Sequence, residues 1–338
     1  MSGQPAPDTG NGSAPPPRTT TDQPERSMGA RTIDFLAEYA VLVLLAVVFV
    51  WLSFASPAFL STANLFNILN QNAPLAIMAA AMTLVIIAGG FDLSVGATFG
   101  MGSVSSAWIA VNIDPYLGLL LAPFIGLAFG IINGIVITRL NVHSFLATIA
   151  TSLIFKGIAI VISDGRLISA RIDDFIWLGR GRFLGVFNSI WIMAIFALAL
   201  TYLLTRTTFG RRVFSVGGNE EAAILSGIRT DRVKIATFAL ACFAAGLASI
   251  ITTSRVALGQ ASAGQGMELQ AIAAVILGGT SIYGGQGAVW RSLAGVFLLA
   301  LINNGFNILN ADPFFRDLTT GLIILAAIAI AAIGQSRR

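Results

Sequence analysis

Arg206–Lys234, RTTFGRRVFSVGGNEEAAILSGIRTDRVK, is the longest charged interval lying between long apolar runs, and the fold follows from what stands on either side of it. Arg206, Arg211 and Arg212 open the stretch, Gly217-Gly218 break it, and Asn219-Glu220-Glu221-Ala222-Ala223 restart it. Asn219 carries the side-chain oxygen an N-cap needs, the two glutamates suit the positive end of a helix, and Gly227 stops it. Arg229, Arg232 and Lys234 lead back into apolar sequence. The pattern predicts a short helix held at a membrane surface by basic flanks. Such a helix is a docking surface.

Outside this interval the chain is mostly apolar. Of its 338 residues 56% are hydrophobic and 11% charged, against roughly 25% charged in a soluble domain, and the mean hydropathy is +0.82. This is the composition of a polytopic membrane protein. The net charge of +4 is modest, and the arginines sit at the ends of apolar runs, as topology signals do, which excludes a nucleic-acid-binding face. Cys242 is the only cysteine and lies within an apolar run, so neither an intramolecular disulfide nor a cysteine metal site is available.

Met1–Arg31, rich in Pro, Gly, Ser, Thr and Asp, reads as a disordered cytoplasmic tail, and residues 32–338 as one transmembrane domain with its loop at 206–234. Apolar runs then recur at the length needed to cross about 30 Å of hydrocarbon. Ten are expected, near 35–54, 74–88, 95–111, 116–138, 144–162, 190–204, 235–253, 269–282, 293–309 and 318–333. The fold class is therefore all-α, a membrane helical bundle. Ser56–Asn72 reads as an external loop and Ser163–Asn188 as a charged, mobile one. Gly89-Gly90 and Gly278-Gly279 mark broken helices. Lys and Arg placement puts both termini and Arg206–Lys234 in the cytoplasm, and Ser163–Asn188 outside. VIIAGG at 85–90 is echoed by VILGG at 275–279, and Ile132-Asn133-Gly134 by Asn303-Asn304-Gly305.

Glu221-Ala222-Ala223 followed by Gly227-Ile228 resembles the EAA coupling loop of permease subunits of ATP-binding-cassette importers. GGFDLSVG at 89–96, ELQAIAAVILGGTSIYGGQG at 268–287 and NNG at 303–305 resemble the branch that imports ribose and similar sugars. The similarity covers roughly Asn64–Ala332. It departs at His143, which follows Asn141-Val142 where the family carries proline. The resemblance implies an inner-membrane permease that translocates a monosaccharide or related polyol. Its partners would be a second permease copy or a related permease, cytoplasmic ATP-binding-cassette ATPases, and an extracytoplasmic sugar-binding protein. ATP would be bound by the ATPases, leaving this chain without a cofactor. The resemblance assigns ATPase coupling to Asn219, Glu220, Glu221, Ala222, Ala223 and Gly227, with alternating access driven through them. A branched-chain amino acid permease is the alternative substrate class. An ion-coupled secondary carrier is the alternative mechanism, and it lacks ionisable groups apart from Asp92.

The residues offer no catalytic set. No GxxxxGK[ST] occurs, neither Lys156 nor Lys234 follows a glycine, and one histidine with no metal-ligand spacing excludes zinc chemistry and an enzyme. Candidates for the substrate path are polar groups at depth. Asp92 and Ser94 stand at the junction of two apolar runs, as helix cap or path lining. Asn133, Asn303, Asn304, Thr280 and Ser281 offer donors and acceptors suited to hydroxyls, or to bonds between helices. Lys156 is expected to snorkel to the cytoplasmic interface, and Glu268 to cap the eighth helix at its external end. GxxxG spacings at Gly96-Gly100 and Gly126-Gly130 suit close helix packing.

Overall fold

Ser61 opens the first long helix by accepting a hydrogen bond from Asn64 N–H, and from there the chain runs through a bundle in which several buried polar side chains find partners on other helices. The computed structural model describes residues 40–310 together with 312, 315, 318, 321, 322 and 325. The tail expected at 1–31 lies outside the described residues, and of the tenth apolar run only Leu318, Gly321, Leu322 and Leu325 are described. The helices are α1 Ala40–Ala55, α2 Thr62–Ile87, α3 Val95–Asn112, α4 Pro115–Leu140, α5 Ser144–Ser163, α6 Asp173–Arg180, α7 Asn188–Arg206, α8 Thr208–Gly218, α9 Glu220–Leu225, α10 Thr230–Val256, α11 Met267–Leu277 and α12 Val289–Ile308. Two-residue strands β1 Ile168–Ser169 and β4 Leu258–Gly259 pair antiparallel, as do β2 Arg182–Phe183 and β3 Val186–Phe187.

The all-α membrane bundle is present. Among the described residues six helices, α2, α4, α5, α7, α10 and α12, are long and apolar enough to cross a membrane. α1 and α11 are shorter, and α3 carries glycines and serines that lower its hydropathy. α3 is instead buried inside the bundle.

Small residues let the central helices approach, which matters because lipid supplies no hydrophobic drive between spans. On α4, a Cβ at Gly126 would run into the Cys242 carbonyl, and one at Gly130 would fall 2.6 Å from the Ala239 Cα. α4 therefore lies against α10 backbone to backbone. α3 docks on α10 through Gly102 against Ser249, and through Thr253 Oγ1, which donates to Ser103 Oγ at 2.7 Å. Each buried hydroxyl and amide so paired avoids the penalty of an unmet polar group in an apolar interior.

Two loop expectations fail for one reason. In Ser56–Asn72 only the residues before Thr62 form a turn, because the asparagines bond across helices. Asn64 and Asn304 exchange hydrogen bonds of 3.2 and 2.8 Å, and Asn70 accepts from Ser189 Oγ. In Ser163–Asn188, β1 pairs with β4, α6 seats Gly179 on Ser254 Oγ at 2.7 Å, and β2 and β3 form a hairpin. The hairpin turn, Leu184-Gly185, has both φ positive, at 53° and 80°, as a type I′ turn requires. Charge and polarity in a window say nothing about partners far along the chain.

Candidate functional site

The two glycine breaks are the same motif. α2 ends with Gly90 N–H donating to Val85 O and Gly89 N–H to Ile86 O, both at 2.9 Å, while Gly89 sits at φ 82°. α11 ends with Thr280 N–H donating to Val275 O at 3.2 Å and Gly279 N–H to Ile276 O at 2.8 Å, with Gly279 at φ 83°. These are Schellman caps, which need a left-handed residue at the position glycine occupies. The echo between residues 85–90 and 275–279 is thus a repeat of local geometry.

Beyond the first break the chain stays buried. Asp92 and Ser94 have no exposed surface. Asp92 Oδ1 accepts from Ser94 N–H at 2.9 Å and from Ser94 Oγ at 2.6 Å, and Oδ2 accepts from the Cys242 thiol at 3.3 Å. Asn133 Nδ2 donates to Ser94 Oγ at 2.6 Å, and its Oδ1 is buried with no hydrogen-bond partner. Asp92 therefore fastens the turn to α4 and α10; the helical boundary itself is Ser94, which makes no side-chain cap bond. α5 holds the turn from its other side. Ser144 Oγ accepts from Phe91 N–H and Thr148 Oγ1 from Leu93 N–H, each at 3.1 Å.

The charged interval folds as α8 and α9. Asn219 Oδ1 accepts from Ala222 N–H at 2.9 Å, Glu220 and Glu221 occupy the first turn of α9, and Gly227, at φ 79°, closes it. Ala223 is buried, whereas Leu225 is 89% exposed. Glu220 Oε1 meets Lys234 Nζ at 2.6 Å, tying α9 to the start of α10. No local signal marks 208–218 as helical, since its glycine pair reads as a break. Gly217 lies instead where α8 touches the end of α2 at the first glycine break and the Gly284-Gly285 loop that follows α11. A Cβ there would overlap the Ile87 carbonyl and stand 2.8 Å from Gly285 N. Gly285 N–H donates to Ile87 O at 2.9 Å, so the loop after α11 satisfies the last carbonyl of α2 directly above the α8 terminus.

The remaining predicted residues do not form one site. Asn304 pairs with Asn64, and Asn303 is half-buried beside it on α12. Thr280 is buried, its Oγ1 without a hydrogen-bond partner, and Ser281 Oγ accepts from Tyr283 N–H within the loop. Two residues read differently in the sequence are brought together. Residues 258–266 run down α3, packing Ala261 on Gly100 and Gly264 on Gly96. Glu268, in the first turn of α11, thus stands against Gly96, where a Cβ would overlap its Oε2. Lys156 lines the same pocket.

Residues 64–328 match the family described as the permease component of branched-chain amino acid transport systems. The chain belongs to that family. The chain is 39% identical over 296 residues to the ribose import permease of Escherichia coli K12, covering 86% of this chain and 91% of that protein. The Bacillus subtilis ribose import permease is 40% identical over 281 residues, 82% and 87% of the two chains. The Escherichia coli K12 L-arabinose transport permease is 34% identical over 299 residues, 86% and 89%. No solved structure matches the chain. The permease is a multi-pass membrane protein and a transport component, not an enzyme, and among its described residues no cluster of His, Cys, Asp or Glu could hold a metal ion.

Proposed function

We propose that this permease translocates a monosaccharide or related polyol across the inner membrane, in an importer driven by ATP hydrolysis on partner ATPases. The observation that carries this reading is its 32–40% identity, over most of its length, to permeases named for ribose, L-arabinose and D-allose. An extracytoplasmic sugar-binding protein delivers the solute, and a second permease, identical or related, completes the membrane unit. Ten spans, with the last near 318–333, place both termini and α8–α9 in the cytoplasm, in line with the basic residues around Arg206–Lys234. Asn219, Glu220, Glu221, Ala222, Ala223 and Gly227 then form the surface that receives the ATPase. The α8 terminus at Gly217 passes its movement to the first glycine break and to the loop after α11.

A second reading has one observation in its favour. A branched-chain amino acid is a zwitterion, and Lys156 and Glu268 place opposite charges in one pocket. Uptake of radiolabelled D-ribose, L-arabinose, D-allose and L-leucine, in cells producing the permease with its ATPase and binding protein, separates the two. Import of at least one sugar, unaffected by a protonophore at maintained ATP, is expected. Import of L-leucine alone overturns the sugar reading, and uptake abolished by the protonophore overturns the ATP-driven one.

A further inference from the structure

α5 and α11 enclose a pocket of about 170 Å³ with the turn that follows the first glycine break. For comparison, a cavity of about 150 Å³ in another protein takes up a benzene ring, so one six-membered ring fits here. Leu153 and Gln265 are exposed at its mouth. Its polar lining is Ser152 and Lys156 on α5, Ser262 and Gln265 on the descending segment, and Glu268 on α11.

Its depth follows from the helix geometry. Lys156 lies 12 residues beyond Ser144, the start of α5, which at about 1.5 Å per residue is roughly 18 Å along a helix. A hydrocarbon layer about 30 Å thick puts that point well inside the membrane. Ionised groups at such depth belong to pathways or pairs. Yet no ion pair joins Lys156 to Glu268, so the two do not neutralise each other by contact. Glu268 Oε1 accepts from Gly266 N–H at 3.2 Å, whereas Oε2 is buried against Gly96 with no hydrogen-bond partner. A buried acceptor without a donor is unfavourable. Rotation of the carboxylate toward the pocket would relieve it once a donor is there.

We propose that this pocket is a station on the translocation path for a neutral, polyhydroxylated ring. Glu268 accepts from the hydroxyls of the ring, and Lys156 donates to their oxygens. Ser152, Ser262 and Gln265 supply both functions, and Leu93, Ala97 and Ala261 face its C–H surface. The opposite charges cancel, which suits an uncharged solute that must exchange its water hydrogen bonds for others at depth. The assignment rests on the proposed sugar-permease function.

Two measurements on the full transporter test it. Lys156→Met and Glu268→Ala are expected to lower uptake of the imported sugar about tenfold, from loss of a buried partner, at unchanged permease abundance and ATPase association. Ser152→Cys, labelled by a small thiol reagent while the buried Cys242 stays unreacted, is expected to react more slowly when that sugar is present. This second measurement needs neither charge variant to fold. Wild-type rates in both charge variants, or Ser152→Cys labelling indifferent to a sugar the transporter imports, overturns the pocket assignment and leaves the proposed function standing. Import of L-leucine and of none of the three sugars overturns the function and, with it, the hydroxylated ligand.

Discussion

Asp92 is a fully buried carboxylate that meets two groups of Ser94 and the Cys242 thiol, so its work is to hold the turn after α2. Asparagine keeps an oxygen for both Ser94 bonds, and Asp92→Asn is expected to preserve transport and thermal stability. Asp92→Leu strands the Ser94 amide and hydroxyl, a loss of about 1–3 kcal/mol for each unpaired buried group. A clearly lowered melting temperature of the purified protein should follow; an Asp92→Asn variant that is stable but inactive would instead assign the carboxylate a transport role. His143 explains its own departure from the family proline. It sits at φ −62°, an angle proline adopts, and its Nδ1 accepts from Phe145 N–H at 3.3 Å to cap α5. His143→Pro gives up a cap of about 1 kcal/mol and gains about 0.4–1 kcal/mol from a stiffer unfolded chain. Melting temperatures should therefore agree closely, and a large drop would show that the cap dominates.

At the level of elements, α8 links α9, the proposed ATPase-facing helix, to the first glycine break and the loop after α11. Gly217 and Gly218 are neighbours with opposite surroundings. A Cβ at Gly217 strikes the backbone of Ile87, whereas at Gly218 nothing lies within 4 Å. Gly217→Ala is expected to push α8 off the end of α2 and the Gly284-Gly285 loop and reduce transport severely with ATPase association retained. Gly218→Ala should behave as wild type, and equal behaviour of the two variants in uptake assays would dismiss the contact as a coupling element. The Glu220–Lys234 bridge is partly exposed, its side chains 42% and 24% accessible. Such pairs contribute only about 0.2–1 kcal/mol. Lys234→Met should therefore leave the fold intact and loosen only the hinge between α9 and α10.

For the whole molecule, the proposed orientation makes a labelling prediction. A cysteine replacing the exposed Ser215 on α8, with Cys242 buried and silent, should resist a membrane-impermeant thiol reagent in intact cells. One replacing the exposed Leu184 in the β2–β3 turn should react. Reaction at Ser215 from outside would reverse the orientation and remove α9 from the ATPases.

What the sequence determined by itself was whatever depends on short-range chemistry. Apolar run length fixed the membrane class and most of the helices. Asn219, the two glutamates and Gly227 specified α9, and the glycine pairs marked the ends of α2 and α11, since a left-handed cap is written in neighbouring residues. Tertiary structure decided which polar groups meet. Asn64 finds Asn304, which turned an expected loop into helix, and Asp92 finds Cys242, which ties the turn after α2 to α10. Glu268 and Lys156 are more than a hundred residues apart in the chain, and nothing local in either window encodes the descent of 258–266 along the Gly96-Gly100 face of α3. That descent requires backbone to lie on backbone, and it brings the Glu268 carboxylate against Gly96 and into the pocket that Lys156 also lines.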